Sequence, residues 1–243
     1  MKKFRFAILG AGHIARQFCD AVSRIDGCEV CAVASKSLVR AENFAKENGV
    51  ENYYDDYEML LEKEKPDCAY IAVTSNDHYR LSVLCVNHSV PVLCEKAMFQ
   101  NSEEAKNLYA LASEKKIFVM EALWSRYLPA VQQVKRWVEQ EKIGKPTVLQ
   151  CNIGFLAPDE KENRYFNPKL GGGAAKDITV YAYEITTFIL NQAIKNISVS
   201  ATWSDTGVDV TNHVSICFDD TLADLLTSFV AQLEEQMVIY GRF

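Results

Sequence analysis

Gly10, Gly12 and Ala15 stand at the spacing G-x-G-x-x-A near the start of the chain. The chemistry this spacing supports is dinucleotide binding. Gly10 permits a tight turn, Gly12 lets a pyrophosphate approach the backbone, and Ala15 lets a helix pack closely on a strand. The phosphates would rest on N–H groups at the helix start, around His13 and Ile14. An ordinary strand-ending turn uses glycine too. Position favours the ligand, because the apolar run Phe4 to Leu9 precedes the glycines and Ile14, Phe18, Ala21, Val22 and Ile25 follow at helical spacing.

Further candidates lie at the ends of later strands. After Glu29 to Ala34, where an acid would bind the ribose 2′-hydroxyl of NAD, the chain has Ser35, Lys36, Ser37 and Arg40. Hydroxyls and positive charge suit a 2′-phosphate, so NADP is expected in preference to NAD; a solvated helix start is the plain alternative. Thr74, Asn76, Asp77 and His78 follow the strand Cys68 to Val73. Asn76 or Asp77 either caps the next helix or lies beside a cofactor, since ligands of open α/β sheets bind at strand carboxyl ends. Lys96 follows the strand Pro91 to Cys94, where substrate should meet cofactor, unless it is an ordinary loop charge. Asp177, Tyr181 and Glu184 fall at i, i+4, i+7, on one helical stripe that is either a site wall or a solvated face.

The elements that position these residues alternate from residue 4 to 121. Strands are expected at about 4–9, 29–34, 68–73, 91–94 and 117–120, with helices after each of the first four and another near 55–65. That alternation is a Rossmann-type doubly wound parallel sheet. An amphipathic helix then runs to Glu139. Beyond it come a strand near 147–155, a helix opened by Gly171-Gly172-Gly173 and reaching Asn191, and strands near 194–203, 209–218, 222–230 and 236–240. Strands without intervening helices indicate a mostly antiparallel sheet in an α+β domain. The expected domains are 1–122, binding the dinucleotide, and 123–243, for substrate and dimerisation.

Composition narrows the partners. A net charge of −6 without a basic block argues against nucleic acid or an anionic membrane, leaving a small-molecule substrate. Apolar runs are short of a spanning helix and the start lacks a signal-peptide core, so a cytoplasmic protein is expected. The eight cysteines are scattered as buried thiols would be, and Cys28 and Cys31 lie three apart in a strand, facing opposite ways. The four histidines (13, 78, 88, 213) have no metal-ligand spacing, so no metal site is expected.

Together the motifs resemble the glucose-fructose oxidoreductase and inositol dehydrogenase family (Gfo/Idh/MocA). A-I-L-G-A-G-H-I-A at 7–15, V-L-C-E-K at 92–96 and G-G-G-A-x-x-D at 171–177 carry the likeness, and M-E-A-L-W-S-R-Y at 120–127 resembles its NADP-dependent dimeric dihydrodiol dehydrogenase branch. That branch has tyrosine at the position of Tyr181, where most relatives have histidine. The resemblance implies hydride transfer between nicotinamide and a secondary alcohol or ketone of a sugar, polyol or dihydrodiol-like substrate. It implies that Lys96 holds the substrate oxygen, that Tyr181 moves the proton with Asp177 beside it, and that Glu95, Trp124 and Arg126 lie along the cofactor. A tyrosine of ordinary pKa about 10 needs a cation such as Lys96 to work near neutrality. Ala97, Thr179 and Lys176 depart from the family pattern, and the chain ends after Tyr240-Gly241, where relatives continue, so a C-terminally shortened sheet is expected. A catalytically impaired NADP-binding sensor is the competing reading. A homodimer through the strands between 147 and 240 is the expected assembly.

Overall fold

The computed structural model describes residues 2–158 and 160–242. The chain divides into two compact units, Met1–Ala122 and Leu123–Phe243.

In the first unit, β1 (Phe4–Leu9), α1 (His13–Ser23), β2 (Cys28–Ala34), α2 (Leu38–Asn48), β3 (Asn52–Tyr54), α3 (Tyr57–Glu64), β4 (Cys68–Ile71), α4 (His78–Asn87), β5 (Val92–Cys94), α5 (Ser102–Lys115) and β6 (Val119–Glu121) follow one another. The strands make one parallel sheet in the order β3-β2-β1-β4-β5-β6. Order reverses between β1 and β4, and in such sheets the crevice at the reversal is where ligands bind. Ala7, Ile8 and Leu9 in β1 and Ala32, Val33 and Ala34 in β2 are all 0% exposed. Strands covered on both faces need apolar residues on both sides, so they read as continuous runs without alternation. Helix ends follow local chemistry: Ser37, Asp56 and Asn101 accept backbone N–H groups at the starts of α2, α3 and α5, and Gly49 ends α2 in the left-handed region. β3 is an addition to the sequence expectation. Its three residues, Asn52, Tyr53 and Tyr54, are too few to show a period, and only pairing with β2 makes them a strand.

In the second unit, a 3₁₀ turn at Trp124–Tyr127 leads to α6 (Pro129–Glu139) and β7 (Lys145–Gly154). α7 (Val180–Leu190), β8 (Ile194–Trp203), β9 (Asp209–Phe218), β10 (Leu222–Ser228) and β11 (Gln236–Arg242) complete it. The sheet runs β11-β7-β10-β9-β8 and is antiparallel except where β10 lies parallel to β7. It is therefore mixed and mostly antiparallel. One face carries the core, where Leu149, Cys151, Val214, Ile216, Phe218, Ala223 and Leu225 pack with Ala182 and Leu190 of α7.

The start of α7 differs from expectation. The three glycines do not open the helix directly, because Ala175–Thr179 forms a π-type turn first. Thr179 explains it: its hydroxyl reaches the carbonyl of Ala174 at 3.2 Å and the Thr227 hydroxyl at 2.6 Å, both buried, which holds the widened turn on the sheet. Gly173, at φ +120°, has the Asp209 carboxylate where a Cβ would project, and that carboxylate accepts the Ala175 N–H at 2.6 Å. An acceptor at a helix start satisfies an N–H with no intrahelical partner.

All eight cysteines are free thiols. Among the described residues, no helix is long and apolar enough to cross a membrane, and no group of His, Cys, Asp and Glu could hold a metal ion.

Candidate functional site

The β1–α1 turn has the geometry that an anion site needs. At Gly10 φ is +115°, and a Cβ there would meet the Ala72 carbonyl oxygen at 2.6 Å, so the fold itself requires glycine. Gly12 is different. A Cβ there would find nothing nearer than that oxygen at 3.8 Å, so the space is kept open by sequence without any need of packing. No side chain caps α1 and no acid lies in its first turn. The leading N–H groups around His13 and Ile14 are thus offered to a phosphate, and these residues fit a dinucleotide. The His13 ring lies 3.2 Å from the Gln17 side-chain amide on the exposed side of the helix.

Beyond β2 the expected 2′-phosphate group divides. Ser35 is only 4% exposed, so its hydroxyl is withdrawn from solvent, contrary to expectation. Ser37 is occupied in capping α2. Lys36 is exposed but ion-paired, its Nζ 2.6 Å from Asp77 Oδ2. Burial pushes the Asp77 carboxyl up, yet Lys36 and Arg80 outweigh it and hold the group below the usual carboxylate value. The Arg40 guanidinium is exposed and has no partner among the described residues.

The loop after β4 corrects two expectations. Asp77 stands at the N-cap of α4 but makes no side-chain cap bond, and Asn76 accepts the Thr74 hydroxyl at 2.6 Å. His78, expected at the cofactor, is 1% exposed, with its ring nitrogens 3.0 Å from the carbonyl oxygens of Ala97 and Val73. Its side chain therefore ties the β4 and β5 loops together and does not face a ligand. Burial lowers the imidazole pKa from 6.5 and prevails over the two carbonyls, which favour the charged ring. The unfolded chain takes up a proton as pH falls through this range and the folded one does not, so His78 makes the protein less stable below the ordinary histidine value and has no such effect above it. We expect the urea midpoint to fall between pH 7.5 and 5.5, and to fall less in His78→Gln. Equal falls in both proteins would assign the effect elsewhere.

At the end of β5, Glu95 accepts the Tyr70 hydroxyl at 2.5 Å, and the Tyr70 ring stacks on Phe18 with centroids 3.8 Å apart. Burial raises the Glu95 pKa, while the Tyr70 bond and the Lys96 charge oppose the rise. Lys96 is half-buried at the same strand end, before a cis Lys96–Ala97 peptide.

In the second unit the stripe Asp177, Tyr181, Glu184 is no solvated face. Trp124 donates its indole N–H to the Tyr181 hydroxyl oxygen at 3.1 Å, with the rings edge-on. Glu184 is 2% exposed and accepts the Ser125 hydroxyl at 2.7 Å and a short bond from Arg126. Arg126, expected along the cofactor, is thereby anchored to α7. Asp177 faces Arg164, whose guanidinium nitrogens lie 3.3 and 3.4 Å from its oxygens. Arg164, and the pairing of Asp77 with Lys36, escaped sequence reasoning, because each contact is tertiary and has no characteristic spacing.

Residues 4–123 match the GFO_IDH_MocA oxidoreductase family with its NAD-binding Rossmann fold, and residues 131–242 match the GFO/IDH/MocA C-terminal domain. A trans-1,2-dihydrobenzene-1,2-diol dehydrogenase from Danio rerio is 30% identical over 98% of this chain and 72% of its own. Among solved structures, the aldose-aldose oxidoreductase from Caulobacter crescentus, complexed with glycerol, superposes with TM-score 0.90 at 16% identity, over 99% of this chain and 75% of that one. An Agrobacterium radiobacter oxidoreductase in complex with NAD+, L-tartaric acid and magnesium gives 0.86 at 19% identity, over 99% and 72%. At such identities the two structures speak for the fold.

Proposed function

Since the chain belongs to the Gfo/Idh/MocA oxidoreductase family, we propose that it is an NADP-dependent dehydrogenase acting on a secondary alcohol or ketone of a sugar, polyol or dihydrodiol-like substrate. The bound nicotinamide supplies the hydride donor or acceptor. Tyr181 gives or takes the hydroxyl proton, Lys96 holds the substrate oxygen, and Asp177, one helical turn before Tyr181, supports the site. The observation that carries the proton step is the Trp124 indole N–H aimed at the Tyr181 hydroxyl oxygen at 3.1 Å. A fixed donor at an oxygen that must give up its proton stabilises the charge it then carries. A panel of sugars, inositols, dihydrodiols and dicarbonyls followed by NADPH absorbance tests the proposal; turnover of none would leave a dinucleotide-binding sensor.

The preference for NADP rests on Lys36 and Arg40 standing where an acid would select NAD. A charge-assisted phosphate contact is worth about 1.5–3 kcal/mol, or about ten- to a hundredfold in affinity. Lys36→Asp should therefore reverse the order of NADPH and NADH affinities measured by fluorescence titration. Equal affinities in the unmodified protein would refute the preference.

A homodimer through the second unit's sheet has its own support. Tyr240, Val148, Leu222 and Cys217 stand side by side on β11, β7, β10 and β9, all exposed. An apolar row on a sheet face is suited to covering by a partner. Leu222→Lys should shift the sedimentation velocity profile from dimer to monomer, and an unshifted dimer would place the interface elsewhere.

A further inference from the structure

We propose that Asp77 sets how tightly the cofactor's 2′-phosphate is bound, by holding Lys36 in an ion pair that the phosphate must break. The inference rests on the assignment of Lys36 and Arg40 to that phosphate. β2 and β4 flank β1 in the sheet, so the pair from Lys36, beyond β2, to Asp77, beyond β4, links the loops on either side of the strand that ends in the glycine turn. The two cations near the ribose position are therefore unequal. Arg40 has no partner to give up among the described residues, whereas Lys36 has a carboxylate at 2.6 Å.

The exchange is feasible because Asp77 has a second cation. Arg80 Nε lies 3.3 Å from its other oxygen, so the carboxylate, whose side chain is 17% exposed, stays compensated when Lys36 turns to the phosphate. The Lys36 side chain is 68% exposed and, among the described residues, held through its head group, which leaves its flexible stem able to swing. An acid at this position thus weakens the 2′-phosphate contact without touching the ligand, and so narrows the gap between NADP and NAD.

Calorimetric titration with adenosine 2′,5′-bisphosphate and with 5′-AMP tests this without any turnover. Asp77→Asn should tighten the bisphosphate about two- to fivefold, the worth of a partly exposed ion pair, and leave 5′-AMP unchanged. In a Lys36→Ala background the gain should vanish. A bisphosphate-to-AMP ratio unmoved by Asp77→Asn overturns the inference. So does a gain that survives without Lys36, which would be a general effect of removing negative charge. The unmodified protein's own ratio judges the NADP assignment separately. A ratio of one there, unmoved by Asp77→Asn, would end that assignment and this inference with it, whereas a ratio above one that Asp77→Asn leaves unmoved ends this inference alone. Should Asp77→Asn fail to fold, Asp77→Ser carries the same measurement.

Discussion

Tyr181→Phe is expected to slow hydride transfer by about 10²- to 10⁴-fold, the usual contribution of a positioned acid or base. The change removes one oxygen and keeps the ring. Trp124 would retain its edge-on contact, with centroids now 6.0 Å apart, but lose the acceptor for its indole N–H. Trp124 is 53% exposed, so water can take that N–H and the fold should not suffer. Lys96→Met should depress the rate by a similar factor, through loss of the charge proposed to hold the substrate oxygen. In neither variant should NADPH affinity change much, because the Gly10–Gly12 turn and the cations after β2 are untouched. Single-turnover absorbance at 340 nm on any substrate found active separates the two steps. If Tyr181→Phe kept most of its rate, a water or another side chain would have to carry the proton.

How far the sequence spoke depended on the range over which its signals act. The β1–glycine–α1 unit was legible because burial on both faces, a positive φ and a helical face each leave a mark within fifteen residues. The helix α5 begins at Ser102 because Asn101 caps it, again a local cause. Where a residue's state is decided by a distant partner, type and spacing gave its place but not its condition. Glu184 on a helical stripe reads more readily as a solvated face than as a site wall until Arg126, 58 residues earlier, is seen beside it. Ser35 and His78 stood at the right strand ends, yet burial turned both inward. Thr179, a departure from the family pattern, gave no hint of the π-type turn it secures, because its partner Thr227 lies on β10. The departure is thus accommodated by packing, and by itself it does not argue for lost activity.

The Arg126–Glu184 pair is expected to give a large stability effect, and an asymmetric one. Arg126→Met would leave the Glu184 carboxylate, 2% exposed, with the Ser125 hydroxyl as its remaining partner in the described contacts. Stranding a buried charge costs about 3–5 kcal/mol, and the lower end applies because Arg126 is itself 42% exposed and water can follow it in. Glu184→Gln is the gentler change. Its amide oxygen can still accept from Ser125, and the freed guanidinium already reaches solvent and lies 5.3 Å from the Phe188 ring centroid. A loss of about 1–2 kcal/mol is expected there. The three tryptophans, at 124, 137 and 203, all lie in the second unit, so their fluorescence reports its unfolding selectively. In urea melts, Arg126→Met should shift the midpoint more than Glu184→Gln does. The reverse order would mean that the carboxylate finds other compensation in the fold.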